Sequence, residues 1–155
     1  MLLVAGFAKM SSQIDELNKI NVFPIADGDT GANMKVCLKL PTRNLLLNPS
    51  DNVLIAVSNV AADVLLNGQG NSGTILSHFF VSLAEEVRAL CKVSLSVDEF
   101  ARCLINAGAK MDDAVPNPVE GTLLSVCRDA CRKLEERGPY SNLEALLGNW
   151  NEIAQ

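Results

Sequence analysis

Histidine, tyrosine and tryptophan each occur once in this 155-residue chain, and aromatic residues make up only 5% of it. The core must therefore be aliphatic, drawn from the Leu, Val, Ile and Ala within a 48% apolar fraction. That composition suits packed helices. No stretch shows the alternation of a strand. Dense Lys/Arg runs are also missing, and the net charge is −5, so a nucleic-acid surface, which needs a basic patch, is not expected. No apolar run approaches the roughly 18 residues of a membrane span. Met1 to Ala8 is apolar but short, without the basic start and cleavage-like continuation of a signal peptide. The expected location is the cytoplasm. The five cysteines are Cys37, Cys91, Cys103, Cys127 and Cys131; their number is odd and they include no Cys-x-x-Cys pair. With His78 as the single imidazole, they read as buried free thiols in a reducing compartment rather than as a zinc set or a disulfide framework.

Against this plain background one stretch stands out, Asn21-Val22-Phe23-Pro24-Ile25-Ala26-Asp27-Gly28-Asp29-Thr30-Gly31-Ala32-Asn33-Met34. Asp27 and Asp29 place two hard oxygen donors on one tight turn, and Gly28 permits a backbone path that a Cβ would obstruct. Neighbouring carboxylates repel unless a cation lies between them, so a divalent metal is the natural third party. Thr30-Gly31-Ala32-Asn33 then opens a helix, whose first N–H groups and dipole favour an anion. A metal–nucleotide site needs both features. A capped turn remains the other reading, since Asp-Gly is a common turn and Asp or Thr a common cap. The calcium-loop reading is weak, because Lys35 to Leu40 carries no carboxylate to close an EF-hand.

Two more stretches carry signals. Asn67-Gly68-Gln69-Gly70-Asn71-Ser72-Gly73-Thr74 has three glycines within six residues and leads into a helix expected from Ser72 or Gly73 to about Cys91. A glycine-rich turn before a helix can cradle phosphate, although a plain helix–loop–helix connection uses the same residues. It is not a Walker A loop, because the Gly-Lys-Ser/Thr ending is missing. Pro118-Val119-Glu120-Gly121-Thr122-Leu123-Leu124 precedes a helix expected from near Thr122 to Gly138. On local grounds Thr122 reads as a cap and Leu123 as core. His78 reads as a packed helical residue, and Lys35, Lys39 and Arg43 as a solvated helix face.

The remaining chain reads as helices, about seven in all. Met1 to Ile20 is expected to be one helix with Leu3, Phe7, Met10, Ile14 and Leu17 on a stripe. Gly31 to Leu40 forms the next, with Met34, Cys37 and Leu38 buried; Pro41 should end it and Arg43 to Pro49 should be a loop. Ser50-Asp51 starts a helix over Val53 to Leu66 that is apolar on most sides and so expected to be central. Ser96 and Glu99 form a capping box for a helix reaching about Ala114, and Val115-Pro116-Asn117-Pro118-Val119 interrupts it. The helix after Thr122 should bury Leu123, Val126, Cys127, Ala130 and Leu134. The last, Asn142 to Gln155, carries Leu143, Leu146, Leu147, Trp150 and Ile153.

The three motifs, in this order and approximate spacing, resemble the dihydroxyacetone-kinase L-subunit-like (DhaL) domain. The branch they look most like is the ATP-binding N-terminal domain of bacterial fatty acid kinase A subunits. The resemblance runs from about Leu17 to Arg132 and implies an all-α antiparallel helical barrel or bundle, with the nucleotide at one end. It implies that Asp27 and Asp29 hold Mg²⁺, with Asn21 as a third ligand where related subunits carry aspartate. Thr30, Gly31, Ala32, Asn33, Asn71 and Ser72 would then meet the phosphates of ATP or ADP, with Thr122 and Leu123 lining the pocket. No catalytic nucleophile is implied. The acceptor would come on a partner subunit resembling a fatty-acid-binding protein, giving an acyl phosphate; homodimerisation stays open. Dihydroxyacetone phosphorylation, a non-catalytic ADP–Mg regulatory module and a helical domain that has lost nucleotide binding are the alternatives. Family domains usually continue into an Asp-containing, glycine-rich segment, so residues 1–155 are expected to form a single domain that is incomplete at both ends.

Overall fold

In the computed structural model, which describes residues 2–22 and 25–153 and side chains through Gly148, the architecture is all helical. Trp150 and Ile153, expected on the last apolar stripe, lie outside the described side chains. The helices are α1 (Leu2–Ser11), α2 (Ile14–Lys19), α3 (Thr30–Leu47), α4 (Val53–Asn67), α5 (Gly70–Ala89), α6 (Val97–Ala109), α7 (Leu123–Arg137) and α8 (Leu143–Ile153), with a 3₁₀ turn at Met111–Ala114. Short connections fold consecutive helices into a bundle.

The axis of the bundle is α5, which packs against α3, α4, α6 and α7. It buries Ile75, Leu76, Phe79, Leu83, Ala84 and Val87, together with Ser72, Gly73, Ser77 and Ser82. The expectation that the preceding helix would be central is corrected. α4 buries only Val60, Ala61 and Val64, while Leu65 and Leu66 are 63% and 80% exposed. Its apolar residues surround it, but neighbours cover one face.

The core has two parts. The larger gathers Ile75, Phe79, Leu83, Val87, Leu104, Met111, Leu124, Leu134 and Leu146 from α5 to α8. The smaller holds Cys37, Leu38, Val60, Val64 and Leu76, with Leu3, Phe7 and Met10 of α1 lying over it. Phe80 and Leu123 pack against both. At the end of α7, the Tyr140 hydroxyl donates to the Leu134 carbonyl at 2.9 Å and pins the departing chain.

Several helix boundaries differ from expectation. The first helix breaks at Ser12-Gln13, where the Ser12 hydroxyl donates to the Lys9 carbonyl at 2.7 Å and competes with the backbone ladder. α3 does not stop at Pro41 but continues to Leu47. The Pro41 ring is fully buried between buried Leu38 and Thr42, so packing overrides the lost N–H bond. α4 is capped by Asn52, whose Oδ1 accepts from Leu54 N at 3.0 Å, rather than by Ser50-Asp51. α6 ends at Ala109, before the 3₁₀ turn. Its capping box is present: Glu99 N donates to Ser96 Oγ at 3.2 Å and Ser96 N to Glu99 Oε2 at 2.9 Å. On α7 the buried face is Leu124, Ala130, Cys131 and Leu134, with Val126 47% exposed. Leu123 and Cys127 pack against the same core, so of the expected face only Val126 turns outward.

Candidate functional site

The chain between α2 and α3 leaves and returns at one point because the two helices are held in close contact. A Cβ on Gly31 would stand 2.8 Å from the Ile14 carbonyl and 3.0 Å from Leu17 Cβ, so only glycine fits there. Asn18, at the end of α2, accepts hydrogen bonds through Oδ1 from Gly31 N at 2.8 Å and Ala32 N at 3.2 Å. Inside the loop so closed, the Asn21 amide donates to Asp27 Oδ1 at 2.6 Å. Gly28 sits at φ +67°, in the left-handed region that suits glycine.

These contacts separate the two readings of Asp27-Gly28-Asp29. Asp29 occupies the N-cap position of α3, yet its side chain makes no capping bond. Asn18 caps from thirteen positions away. Among the described residues, neither aspartate forms an ion pair. Asp27 is exposed and Asp29 partly so. With Asn21 they offer hard oxygen donors to a divalent cation, which would keep several waters. Among the described residues there is no set of three His, Cys, Asp or Glu side chains, so carboxylates alone do not complete such a site.

The second motif is joined to the first. Gly70 has φ +62°, and a Cβ there would overlap the Asn33 side chain. The Ser72 hydroxyl is turned to the Thr30 carbonyl at 3.4 Å. α5 begins at Gly70, two residues before the expected start, so Asn71 and Ser72 lie in its first turn. Gln69 supplies no side-chain cap to those first N–H groups. At the third motif, Thr122 is the N-cap residue of α7 but does not cap it; its hydroxyl donates to the Val119 carbonyl at 2.8 Å. Ser125 Oγ accepts from Gly121 N at 3.0 Å and donates to Glu120 Oε2 at 2.9 Å. Arg128 Nη2 donates to both Glu120 oxygens at 2.8 Å, and its Nη1 to Asp112 at 3.0 Å. This guanidinium, together with the Ser125 hydroxyl, holds the Glu120 carboxyl below its ordinary range.

One cleft of about 660 Å³ connects the three motifs. Asn21, Asp27, Asp29, Thr30, Asn71, Ser72, Thr122 and Leu123 all line it. Leu17, Ile20, Ile25, Ile75, Val115 and Val119 supply apolar wall. Gly31, Ala32 and Asn33 are not in the lining. Expected as phosphate donors, they are engaged internally: Gly31 and Ala32 N–H by Asn18, and Asn33 N–H by the Asp29 carbonyl at 2.8 Å. His78 lies elsewhere and bonds the Lys110 carbonyl through Nε2 at 2.9 Å.

Residues 24–155 match the model of the DAK2 domain. The chain belongs to the DAK2 domain family. Its members are nucleotide-binding, kinase-related domains of the dihydroxyacetone kinase group, in agreement with the resemblance carried by the motifs. The chain is also 35% identical to Protein YloV of Bacillus subtilis over 133 residues, which is 85% of this chain and 24% of that protein. Uncharacterized proteins of Staphylococcus epidermidis and Staphylococcus aureus (strain USA300) are 30% and 32% identical, over 84% and 88% of this chain and 23% and 24% of their own lengths. The DAK2 chain thus spans about a quarter of the length of these curated relatives. No described helix is long and apolar enough to cross a membrane.

Asn18 and Arg128 escaped sequence reading. A cap normally precedes its helix directly, so an asparagine thirteen positions upstream of Gly31 gives no local signal. The Glu120–Arg128 spacing of eight spans a loop–helix junction, where helical periodicity does not apply.

Proposed function

We propose that this DAK2 domain binds Mg²⁺–ATP in the cleft and passes the γ-phosphoryl group to an acceptor carried by a partner protein, a fatty acid that becomes an acyl phosphate. The observation that carries the reading is one cleft bordered by the uncapped start of α5, by the start of α7 and by two aspartates that form no ion pair among the described residues. Helix N-termini favour phosphate through exposed N–H groups and the macrodipole. The cleft volume is in the range of nucleotide-sized sites.

Within this reading, Asp27, Asp29 and the Asn21 amide oxygen hold Mg²⁺, which when bound neutralises phosphate charge. The first N–H groups of α5, at Gly70, Asn71 and Ser72, take the phosphates, because those of Gly31 and Ala32 serve Asn18. The Thr30 and Thr122 side chains border the nucleotide, and Leu123 with Val115 and Val119 forms a low-dielectric wall that excludes water. Phosphoryl transfer relies on positioning and charge neutralisation, so no nucleophile is required from the chain. Among the described residues the lining contains no histidine, lysine or arginine, and in this reading the acceptor arrives on another protein.

The same lack of a cation supports a second reading. A non-catalytic module that holds ADP–Mg²⁺ for regulation needs no group to stabilise a transition state. Dihydroxyacetone-type transfer is the remaining enzymatic option, with the acceptor again held by a partner. Titration calorimetry with ATP and ADP, with and without Mg²⁺, tests the shared site: the expected result is metal-dependent binding, and folded protein that binds neither nucleotide overturns it. A marked preference for ADP, with no γ-phosphoryl transfer when a fatty-acid-loaded binding protein is supplied, would favour the regulatory module.

A further inference from the structure

We infer that Asn18 is a positioning residue for the metal loop, acting as a side-chain staple between α2 and α3. Residues 20–22 and 25–29 carry Asn21, Asp27 and Asp29, and the placement of these side chains depends on how α2 and α3 are joined. The join is polar and specific. Asn18 Oδ1 takes two of the first N–H groups of α3 at 2.8 and 3.2 Å, while Gly31 lets the helices approach closely enough for those bonds. Asn21 then spans the loop to Asp27. Two asparagines therefore set the loop: Asn18 fixes its neck and Asn21 orients one carboxylate within it. Asn18 does not line the cleft, so its effect on a ligand passes through Asp27 and Asp29.

The staple has a second consequence. An uncapped α3 N-terminus so near the cleft would compete for phosphate. With Gly31 and Ala32 N–H occupied by a neutral amide oxygen, the anion is directed to the start of α5, where Gln69 offers no cap. The role of Asn18 thus rests on the metal–nucleotide reading, although its bonds do not.

The test uses the whole chain, ¹⁵N-labelled, as wild type, Asn18→Ala and Asn18→Asp. Two quantities are measured: exchange protection of the Gly31 and Ala32 amides, and ADP affinity with and without Mg²⁺. In Asn18→Ala both amides should lose protection. The gain in ADP affinity conferred by Mg²⁺ should fall about fivefold, the order expected for a lost N-cap bond, while metal-free affinity stays unchanged. Asn18→Asp offers the same acceptor and should keep both readouts. A generic packing role would lower both affinities together and leave their ratio intact, which would overturn the assignment. If wild-type protein shows no metal-dependent binding, the proposed function fails instead. The amide exchange then decides the staple alone, and unaltered protection in Asn18→Ala overturns it.

Discussion

The two loops that line the cleft handle their carboxylates in opposite ways. In residues 115–122, Glu120 is bound by Arg128 and Ser125, and the same guanidinium reaches Asp112. In residues 20–29, Asp27 has one amide partner, and neither Asp27 nor Asp29 has an ion pair among the described residues. The first arrangement fixes a loop and neutralises its charge internally. The second leaves negative charge to be met from outside. Like charges on one short turn favour a bound cation, and both aspartates line the cleft that the start of α5 also borders.

Removing the unpaired carboxylates should give the largest effect. Asp27→Ala/Asp29→Ala should lower Mg²⁺-dependent nucleotide affinity by roughly 100-fold or more, the ~2.8 kcal/mol of two decades. Melting temperature and helical circular dichroism should hold or rise slightly as repulsion is relieved. Unchanged affinity by calorimetry would show that the two loops do not differ in function.

Next is Gly31→Ala, which attacks the neck of the open loop. The added methyl would meet the Ile14 carbonyl and Leu17 Cβ, so α2 must move off α3. A cost of about 1–3 kcal/mol is expected for such overpacking, measurable by urea denaturation, with loss of metal dependence as the neck widens. An equally stable variant with intact metal coupling would mean that α2 does not set the loop.

The paired side should yield less. Arg128→Ala removes the guanidinium from Glu120 and Asp112, and Glu120 is 74% exposed. Exposed pairs contribute little, and neither Arg128 nor Glu120 lines the cleft, so nucleotide affinity should fall by no more than about twofold. The gain from Mg²⁺ should be preserved, because Arg128 bonds neither Asp27 nor Asp29. Calorimetry with and without the metal separates this outcome from the Asp27/Asp29 phenotype.

Sequence revealed more of the motifs than of the devices that hold them. Apolar spacing located α4, α6 and α7 because each has a clear start: Asn52 lies one residue past the expected cap, and Ser96 and Thr122 stand where they were expected. Pro41 misled because its local penalty is outweighed by complete burial, a tertiary fact. The central role went to α5 rather than α4 because burial depends on neighbours and not on a helix's own apolar content. At the cleft, eight of the eleven residues singled out beforehand share the lining. The other three, Gly31, Ala32 and Asn33, were assigned from a general property of helix N-termini. Sequence could not show that Asn18 already takes the Gly31 and Ala32 N–H groups and the Asp29 carbonyl that of Asn33.

The smallest effect belongs to a third carboxylate, Glu99, which extends the contrast between paired and unpaired acids to pH. Lys92 pairs with Glu99, and the Ser96 N–H donates to the same carboxyl group. These partners, Lys92 foremost, bring its pKa from the ordinary 4.5 down to about 2. Folding therefore favours the ionised form. The stabilisation is fully present above pH 4.5 and is lost as the pH falls toward 2. Because the Lys92 partner is exposed, screening keeps the contribution small, and added salt should reduce the Lys92 part further. Glu99→Gln can still receive the Ser96 N–H bond but cannot ionise. Chemical denaturation at pH 5 and pH 2.5 should therefore show a smaller acid loss in Glu99→Gln than in wild type, with the difference shrinking at high salt. Equal losses in the two proteins would mean that the capping box holds α6 without help from charge.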